Sequence, residues 1–199
     1  GDGNDGIDGG SGNDIIHLGG GIERGIVAES EPYVYNGVSY DQDAVGSEGD
    51  DLIYASDLDD WLCGGDGNDV IYGYAGDDLI EEVDDDYGDD IFYGGDGDDT
   101  IRDFRGSDRI YGEAGNDKIY ADYWNIELAG NDYVDAGSGD DHVETYGGND
   151  FVVLSTGNDY SDGGNGIDNV ILDDLFYAIK SITGPINGFT INTEIKSGE

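Results

Sequence analysis

Residues 64–72 read GGDGNDVIY, and this nine-residue unit recurs with small changes along most of the 199-residue chain. When its residues are numbered 1 to 9, position 6 is Asp in fifteen units, and position 4 is Gly in fourteen of them, with Leu58 as the exception. Position 8 is Ile, Leu, Val or Phe in every unit except one, where Ser161 replaces it. A period this strict indicates a repeat architecture, in which each unit stacks on its neighbours.

Each position of the unit has a physical role. Glycines at positions 1, 2 and 4 allow a tight turn that uses left-handed backbone conformations. The β-favouring tripeptide at positions 7 to 9 predicts a short strand whose middle side chain points inward. The chain is therefore predicted to be all-β, a parallel β-roll with a thin core of position-8 side chains.

The composition limits the possible partners. With 48 Asp plus Glu against 7 Lys plus Arg, the formal net charge is −41. Phosphate binding needs clustered basic residues, so nucleic acid is excluded as a partner. A hydrophobic content of 36% argues against disorder, and a compact state therefore needs cations to offset its self-repulsion. No apolar run reaches the length of a membrane span, and the single cysteine, Cys63, rules out an internal disulfide framework.

The position-6 aspartates are the predicted metal ligands. Stacked turns bring these carboxylates close together along an edge of the roll, where they could not all stay ionised without cations between them. Carboxylate and carbonyl oxygens in a flexible turn favour calcium over softer metals. The predicted ligands are Asp5, Asp14, Asp51, Asp60, Asp69, Asp78, Asp90, Asp99, Asp108, Asp117, Asp132, Asp141, Asp150, Asp159 and Asp168.

The repeat resembles the glycine-rich nonapeptide GGxGxDxUx of RTX proteins over residues 1–17 and 46–171. The resemblance implies that alternate turns share a calcium ion, held by position-6 Asp side chains and turn carbonyls. Fifteen turns would then hold up to about thirteen ions, which would reduce the charge from −41 to about −15. It also implies type I secretion of an unfolded chain and an extracellular location, with folding outside the cell.

The pattern divides the chain into a β-roll at residues 1–171 and a cap of short β-strands at 172–199. Insertions at 18–45, 82–84 and 121–126 enter odd-numbered turns, so all three are predicted to protrude from one edge of the roll. The segment YVYNGVSY at 33–40 predicts a β-hairpin with a type I′ turn. Because Gly1 lies within a unit, we expect upstream repeats or another protomer to stack there.

Aromatic residues suggest where a partner binds. Tyrosines of the hairpin and the 121–126 loop would offer flat faces to a surface glycan or a protein, or would merely shield the edge. Position 9 of alternate units also carries a tyrosine column, which would either pack against another domain or copy or simply stabilise the sheet. The candidate residues are Tyr33, Tyr35, Tyr40, Tyr54, Tyr72, Tyr93, Tyr111, Tyr123 and Trp124.

No catalytic motif is visible. The sequence has no HExxH, no GxSxG and no phosphate-binding lysine loop, and His17 and His142 lie in different units. We therefore expect no enzymatic activity. Two function classes follow: a structural or adhesive module of a surface, surface-layer or filament-forming bacterial protein, or the C-terminal secretion and folding module of a larger exported enzyme.

Overall fold

The computed structural model describes residues 7–17, 33–35, 38–40, 44–82, 87–123, 129–172, 181–182 and 190–192. Within these ranges all regular structure is β, and none of the described residues forms a helix that could cross a membrane. The strands are β1 Ile7–Ser11, β2 Ile15–His17, β3 Tyr33–Tyr35, β4 Val38–Tyr40, β5 Ala44–Glu48, β6 Leu52–Tyr54, β7 Trp61–Asp66, β8 Val70–Tyr72, β9 Leu79–Glu81, β10 Ile91–Asp96, β11 Thr100–Arg102, β12 Arg109–Ala114, β13 Lys118–Tyr120, β14 Tyr133–Asp135, β15 His142–Glu144, β16 Phe151–Leu154, β17 Tyr160–Asp162, β18 Asn169–Leu172, β19 Ser181–Ile182 and β20 Thr190–Asn192.

From β5 onward, successive strands of the roll alternate between two parallel sheets. The first sheet has the order β1-β5-β7-β9-β11-β13-β15-β17-β19, and the second has the order β2-β6-β8-β10-β12-β14-β16-β18-β20. Equivalent repeat positions pair across strands, for example Phe92 with Ile71 and Ile110. The predicted fold, a parallel β-roll, is confirmed.

The core lies between the sheets and consists largely of position-8 side chains. Phe92, Ile71 and Ile110 of the second sheet are 0% exposed, as are Ile80 and Ile101 of the first. Residues at positions 7 and 9 flank each inward side chain and are half-buried on most strands. The alternation follows from strand geometry, in which neighbouring side chains point to opposite faces.

The segment predicted as the long insertion, residues 18–45, includes the first two residues of β5, a strand of the roll that the repeat pattern did not predict. Strand β5 pairs with β1 through Ile7 opposite Ala44, whereas β2 pairs with β6 through Ile16 opposite Ile53. The extra strand shifts the alternation by one, so the units of β2 and β6 share a sheet. The prediction that all three insertions lie on one edge is therefore wrong.

The two edges are defined by the direction in which the chain crosses between sheets. The first edge consists of turns that leave the first sheet, and the second edge consists of turns that leave the second sheet. The insertions at 82–84 and 121–126 belong to the first edge, while the long insertion leaves β2 and belongs to the second. The sequence analysis did not predict this arrangement, because counting repeat units cannot detect β5, a strand that no position-6 aspartate precedes.

Two further predicted segments are partly described. Strands β3 and β4 pair antiparallel, with Tyr33 opposite Tyr40 and Tyr35 opposite Val38, so the predicted hairpin is confirmed. Its turn at 36–37 lies outside the described residues. In the region predicted as a cap, β19 and β20 pair in parallel with β17 and β18, so each extends a sheet by one strand.

Candidate metal sites along the two edges

Each turn of the roll places its aspartate through a fixed backbone path. Positions 2 and 4 adopt left-handed conformations, as at Gly95 (φ 119°) and Gly97 (φ 148°). Ser47, Tyr74, Glu113 and Tyr146 also have positive φ at position 2. The turn geometry is thus imposed on several residues that pay a conformational cost for it.

The position-6 aspartates form a hydrogen-bonded ladder along each edge. In every step, the backbone N–H of one aspartate donates to Oδ1 of the aspartate one coil further along. On the first edge the donor–acceptor pairs are Asp14–Asp51 (2.6 Å), Asp51–Asp69 (2.7 Å), Asp69–Asp90 (2.7 Å), Asp90–Asp108 (2.7 Å), Asp108–Asp132 (3.0 Å), Asp132–Asp150 (2.9 Å) and Asp150–Asp168 (3.0 Å). On the second edge they are Asp60–Asp78 (2.8 Å), Asp78–Asp99 (2.8 Å), Asp99–Asp117 (2.9 Å), Asp117–Asp141 (2.9 Å) and Asp141–Asp159 (3.1 Å).

The other carboxylate oxygen is buried and lacks a hydrogen-bond partner in many turns. This holds for Oδ2 of Asp14, Asp51, Asp78, Asp99, Asp117, Asp132, Asp141 and Asp150. An ionised oxygen buried in this way is costly unless a cation or a proton compensates it. The residues present therefore fit a bound cation.

Carbonyl oxygens converge on the same space. A Cβ built on Gly94, at position 1, would lie 2.5 Å from Oδ2 of Asp99 and 2.9 Å from the carbonyl oxygen of Gly112 in the next turn of that edge. Glycine thus leaves open a cradle faced by a carboxylate and a carbonyl. These are the hard oxygen ligands that calcium prefers, and a bound ion would neutralise the carboxylates between coils.

Burial sets the protonation behaviour of these carboxyls. Desolvation raises the pKa of Asp78 to about 9, of Asp117 to about 8 and of Asp150 to about 7. The backbone N–H that each accepts lowers the pKa and offsets part of this rise. Without a cation, the folded state therefore favours protonated carboxyls, so keeping them ionised at neutral pH requires positive charge.

The structure changes the edge on which Asp14 lies and the number of positions at which two aspartates can share an ion. Asp14 follows β1 of the first sheet and lies on the first edge beside Asp51, whereas unit counting had paired Asp14 with Asp60. Asp5 lies outside the described residues. By the rule that alternate turns share an ion, the described aspartates allow twelve shared positions, one for each ladder step, against the thirteen predicted.

The degenerate unit around Asp60 uses its carboxylate locally. Oδ2 of Asp60 accepts hydrogen bonds from the backbone N–H of Ser56 (2.8 Å) and from its hydroxyl (2.9 Å). Asp60 nevertheless keeps its ladder step to Asp78. A carboxylate committed to its own turn is a weaker ion ligand, which agrees with the loss of consensus glycines there.

Sequence reasoning missed a second, exposed ladder at position 5. The N–H of Asn68 donates to Oδ1 of Asp50 (3.0 Å), and the N–H of Asp89 donates to Oδ1 of Asn68 (2.9 Å). The second edge repeats the pattern, as where Asp98 donates to Asp77 (2.9 Å). The signal was present in the sequence, because position 5 is Asn or Asp in most units.

It also missed three buried acids on the first edge that lie outside position 6. These are Glu82, Asp103 and Asp122, which are 3%, 0% and 0% exposed. Asp103 occupies position 1, where the consensus has glycine. The detectable signal was the departure from glycine in the turn DFRGSD at 103–108.

The predicted aromatic residues occupy several environments. Tyr54, Tyr72, Tyr93 and Tyr111 stack in one column on the outer face of the second sheet. Tyr123 is half-buried and packs near Phe104, with 6.1 Å between ring centroids. Tyr33, Tyr35 and Tyr40 lie in the hairpin strands, and Trp124 lies outside the described residues.

Together, the fold and the turns define a parallel β-roll whose turns are lined with oxygen atoms suited to a cation. The profile of the RTX calcium-binding nonapeptide repeat (4 copies) matches residues 1–22, 36–65, 54–81, 84–119, 128–161 and 135–170. These matches span well over half of the chain, which therefore belongs to the RTX calcium-binding nonapeptide-repeat family and is a calcium-binding β-roll module. No curated protein matches the chain.

Proposed function

We propose that this chain is a structural and adhesive module of a secreted bacterial surface protein, which folds when calcium binds and then contacts further copies of itself. The position-6 aspartates supply the calcium ligands in this proposal. The contact surface in this proposal is the outer face of the second sheet. The observation that supports it best is a ladder of stacked aromatic rings on that face. The chain has a structural rather than a catalytic role.

The aromatic ladder consists of rings from neighbouring strands of the second sheet. Adjacent ring centroids are 4.5 Å apart for His17–Tyr54, 5.2 Å for Tyr54–Tyr72, 4.7 Å for Tyr72–Tyr93 and 4.8 Å for Tyr93–Tyr111. The ladder continues through Tyr133 to Phe151 at 5.7 and 5.6 Å. Because the first five rings cover each other's faces, their edges are left for a partner, which favours a protein surface over a stacked sugar.

The charge distribution separates the two outer faces. At repeat positions 7 and 9 of strands β6 to β18, the charged residues of the second sheet are Arg109 and Asp135. The exposed Asp96 and Glu113 lie further along β10 and β12, where these strands enter their turns. The first sheet presents charged residues on most strands between β9 and β17, including the ion pair of Arg102 with Glu81 at 3.3 Å. In a chain of net charge −41, a face with few charges beside its aromatic rings permits a closer approach of another copy than the more acidic surfaces do.

A calcium titration of the chelated chain tests the proposal. Far-ultraviolet circular dichroism follows folding, and sedimentation velocity follows size in the same samples. We expect a cooperative transition from coil to β structure, accompanied by an increase in sedimentation coefficient beyond that of a folded monomer. A chain that folds with calcium but stays monomeric at all concentrations would contradict the contact between copies.

Two double variants test which of the two outer sheet faces forms the contact between copies. Replacing Tyr72 and Tyr93 by Ser should reduce association at least ten-fold while calcium-induced folding is retained. The control replaces Tyr120 and Tyr160 of the first sheet by Ser and should associate as the unmodified chain does. Equal loss of association in both variants would show that the second sheet is not the contact face.

The alternative role, as the secretion and folding module of a larger exported enzyme, shares the calcium-dependent folding. It requires no contact between copies. A strictly monomeric folded chain would therefore favour this alternative.

A further inference from the structure

The first edge carries acidic side chains at turn positions where the repeat has glycine. Glu82 and Asp103 directly follow β9 and β11, and their N–H groups donate to the carbonyls of Arg102 (3.0 Å) and Tyr120 (2.9 Å). Asp122 follows β13 by two residues and has a left-handed backbone (φ 58°). Three successive turns of this edge thus each add a carboxylate to the position-6 ladder.

Asp103 lies at the centre of this group. Its side chain is fully buried, no N–H or hydroxyl group of the described residues donates to its carboxylate oxygens, and its carboxyl lies beside that of Asp108. Asp90, Asp103 and Asp108 each offer one oxygen, and these three oxygens lie within 4.8 Å of one another. Three oxygens at this separation can all contact a single hard cation, which would compensate charges that otherwise repel.

The ladder leaves room for this third carboxylate. Oδ1 of Asp108 accepts the N–H of Asp90 at 2.7 Å, and Oδ1 of Asp90 accepts the N–H of Asp69 at 2.7 Å. The basic residue of the same turn, Arg105, lies over the ring of Tyr87, with its guanidinium carbon 4.5 Å from the ring centroid.

The neighbouring acids extend the negative potential along the edge. Glu82 accepts the N–H groups of Gly64 (2.9 Å) and Gly65 (2.8 Å), and its charge acts on Asp103. Oδ2 of Asp122 accepts the N–H of Gly130 (3.0 Å), whereas its buried Oδ1 has no hydrogen-bond partner. Both acids increase the attraction for a cation bound between them.

Aromatic side chains limit access of water to this part of the edge. Phe104, next to Asp103, is 7% exposed and packs near Tyr123, which in turn lies 5.5 Å from Tyr120 and 5.8 Å from Tyr146 between ring centroids. A cation held by carboxylates in such a setting is attracted more strongly than one in an open turn. The turns of the second edge have Ala55, Gly73, Gly94, Gly112, Ala136 and Leu154 at position 1 and add no acid there.

We propose that Asp103 is a side-chain ligand of a carboxylate-rich calcium site with Asp90 and Asp108, and that this site binds calcium more tightly than the consensus turns and fills first. Calcium binding then begins in the middle of the first edge and spreads to the consensus turns on both sides. The site does not depend on the proposed contact between copies.

The test measures stepwise calcium affinity in the full chain. Calcium is titrated into the chelator-treated protein in competition with a chromophoric chelator, and terbium luminescence reports the first ions bound. The variant Asp103→Asn keeps the size of the side chain and removes its charge. The control, Asp96→Asn, removes an equal charge from an exposed turn residue of the second edge.

We expect Asp103→Asn to weaken the tightest class of sites at least ten-fold and to raise the calcium concentration at the midpoint of folding. Asp96→Asn should leave both unchanged. An unchanged tight class in Asp103→Asn, or an equal change in the control, would overturn the proposal. If Asp103→Asn does not fold at saturating calcium, Asp103→Gly restores the consensus residue, and retention of the tight class in that variant would overturn it as well.

Discussion

The two edges of the roll share a backbone but differ in charge. Both have position-6 ladders with N–H to Oδ1 distances between 2.6 and 3.1 Å, and both use left-handed glycines at position 4. Among the described residues, buried acids outside position 6 of the turns, namely Glu82, Asp103 and Asp122, lie on the first edge. The repeat thus determines the shape of every turn, while departures from it determine how strongly each edge attracts cations.

Removing calcium should have the largest effect, because the roll that forms both edges is expected not to fold without the ion. At pH 7.5, excess chelator is expected to cause complete loss of β structure, since without a cation the buried carboxyls of both ladders must either take up protons far above their ordinary pKa of 3.8 or stay ionised and uncompensated. Far-ultraviolet circular dichroism measures this. Retention of the β signal in chelator would mean that the acidic turns need no ion.

Acidification should partly restore the fold in chelator. Burial raises the pKa of Asp78 to about 9 and of Asp117 to about 8, against 3.8 in the unfolded chain. Groups with a raised pKa stabilise the fold fully below pH 3.8, and that stabilisation is lost as the pH rises through the folded values. In chelator, β structure should therefore increase from pH 8 to about pH 4.

With calcium present the trend should reverse. Protons compete with the ion for the same oxygens, so the calcium concentration needed for folding should rise as the pH falls. A calcium midpoint independent of pH would indicate that these carboxylates do not bind the ion.

Glycine replacements should affect the two edges equally. A Cβ on Gly67 of the first edge or Gly97 of the second would overlap the carbonyl oxygen of Gly49 or Gly76, at φ of 150° and 148°. Each Ala variant should lose about 2 kcal/mol or more of stability in saturating calcium, measured by chemical denaturation.

Leu58 provides the control for this pair. It occupies position 4 without a positive φ, so Leu58→Gly should change stability far less. A clear difference between the two Ala variants would show that the backbones of the edges are not equivalent.

Equivalent ladder substitutions should affect the edges unequally. Asp90→Asn on the first edge and Asp99→Asn on the second retain an oxygen for the ladder N–H and remove one charge. Both should raise the calcium midpoint of folding, but only Asp90→Asn should weaken the tightest class of ions. Equal titration curves for the two variants would remove the distinction between the edges.

The smallest effect concerns the core between the edges. Ser161 is fully buried at position 8, and its hydroxyl lacks a hydrogen-bond partner. Ser161→Ala should stabilise the roll by about 1 kcal/mol, because it removes an unsatisfied polar group. The calcium-binding curve of this variant should show the same classes of sites as the unmodified chain. A change in the tightest class would show that core packing contributes to the difference in calcium affinity between the two edges.

Much of the fold could be read from single positions. Phe92 and Ile101 at position 8 are buried, and Tyr72, Tyr93 and Tyr111 at position 9 form a column, as a two-residue strand period requires. The hairpin followed from alternating residues around Asn36-Gly37. These features depend on local geometry, which the residues of one unit specify.

The arrangement of the edges could not be read in this way. The roll acquires a strand at Ala44–Glu48 whose first two residues lie outside the repeat, and this places Asp14 beside Asp51. It also places Asp103 among Asp90 and Asp108, which are 13 and 5 residues away in the chain. Proximity between coils depends on how many strands each coil contains, and no repeat position encodes that number.

The amino-acid pattern alone was enough to establish the parallel roll, its two-column core and the need for a cation, because each follows from a nine-residue period and a net charge of −41. The stacking of coils in three dimensions decided which carboxylates share an edge. The ladder pairs join residues 18 or more positions apart, so they form only when successive coils are stacked.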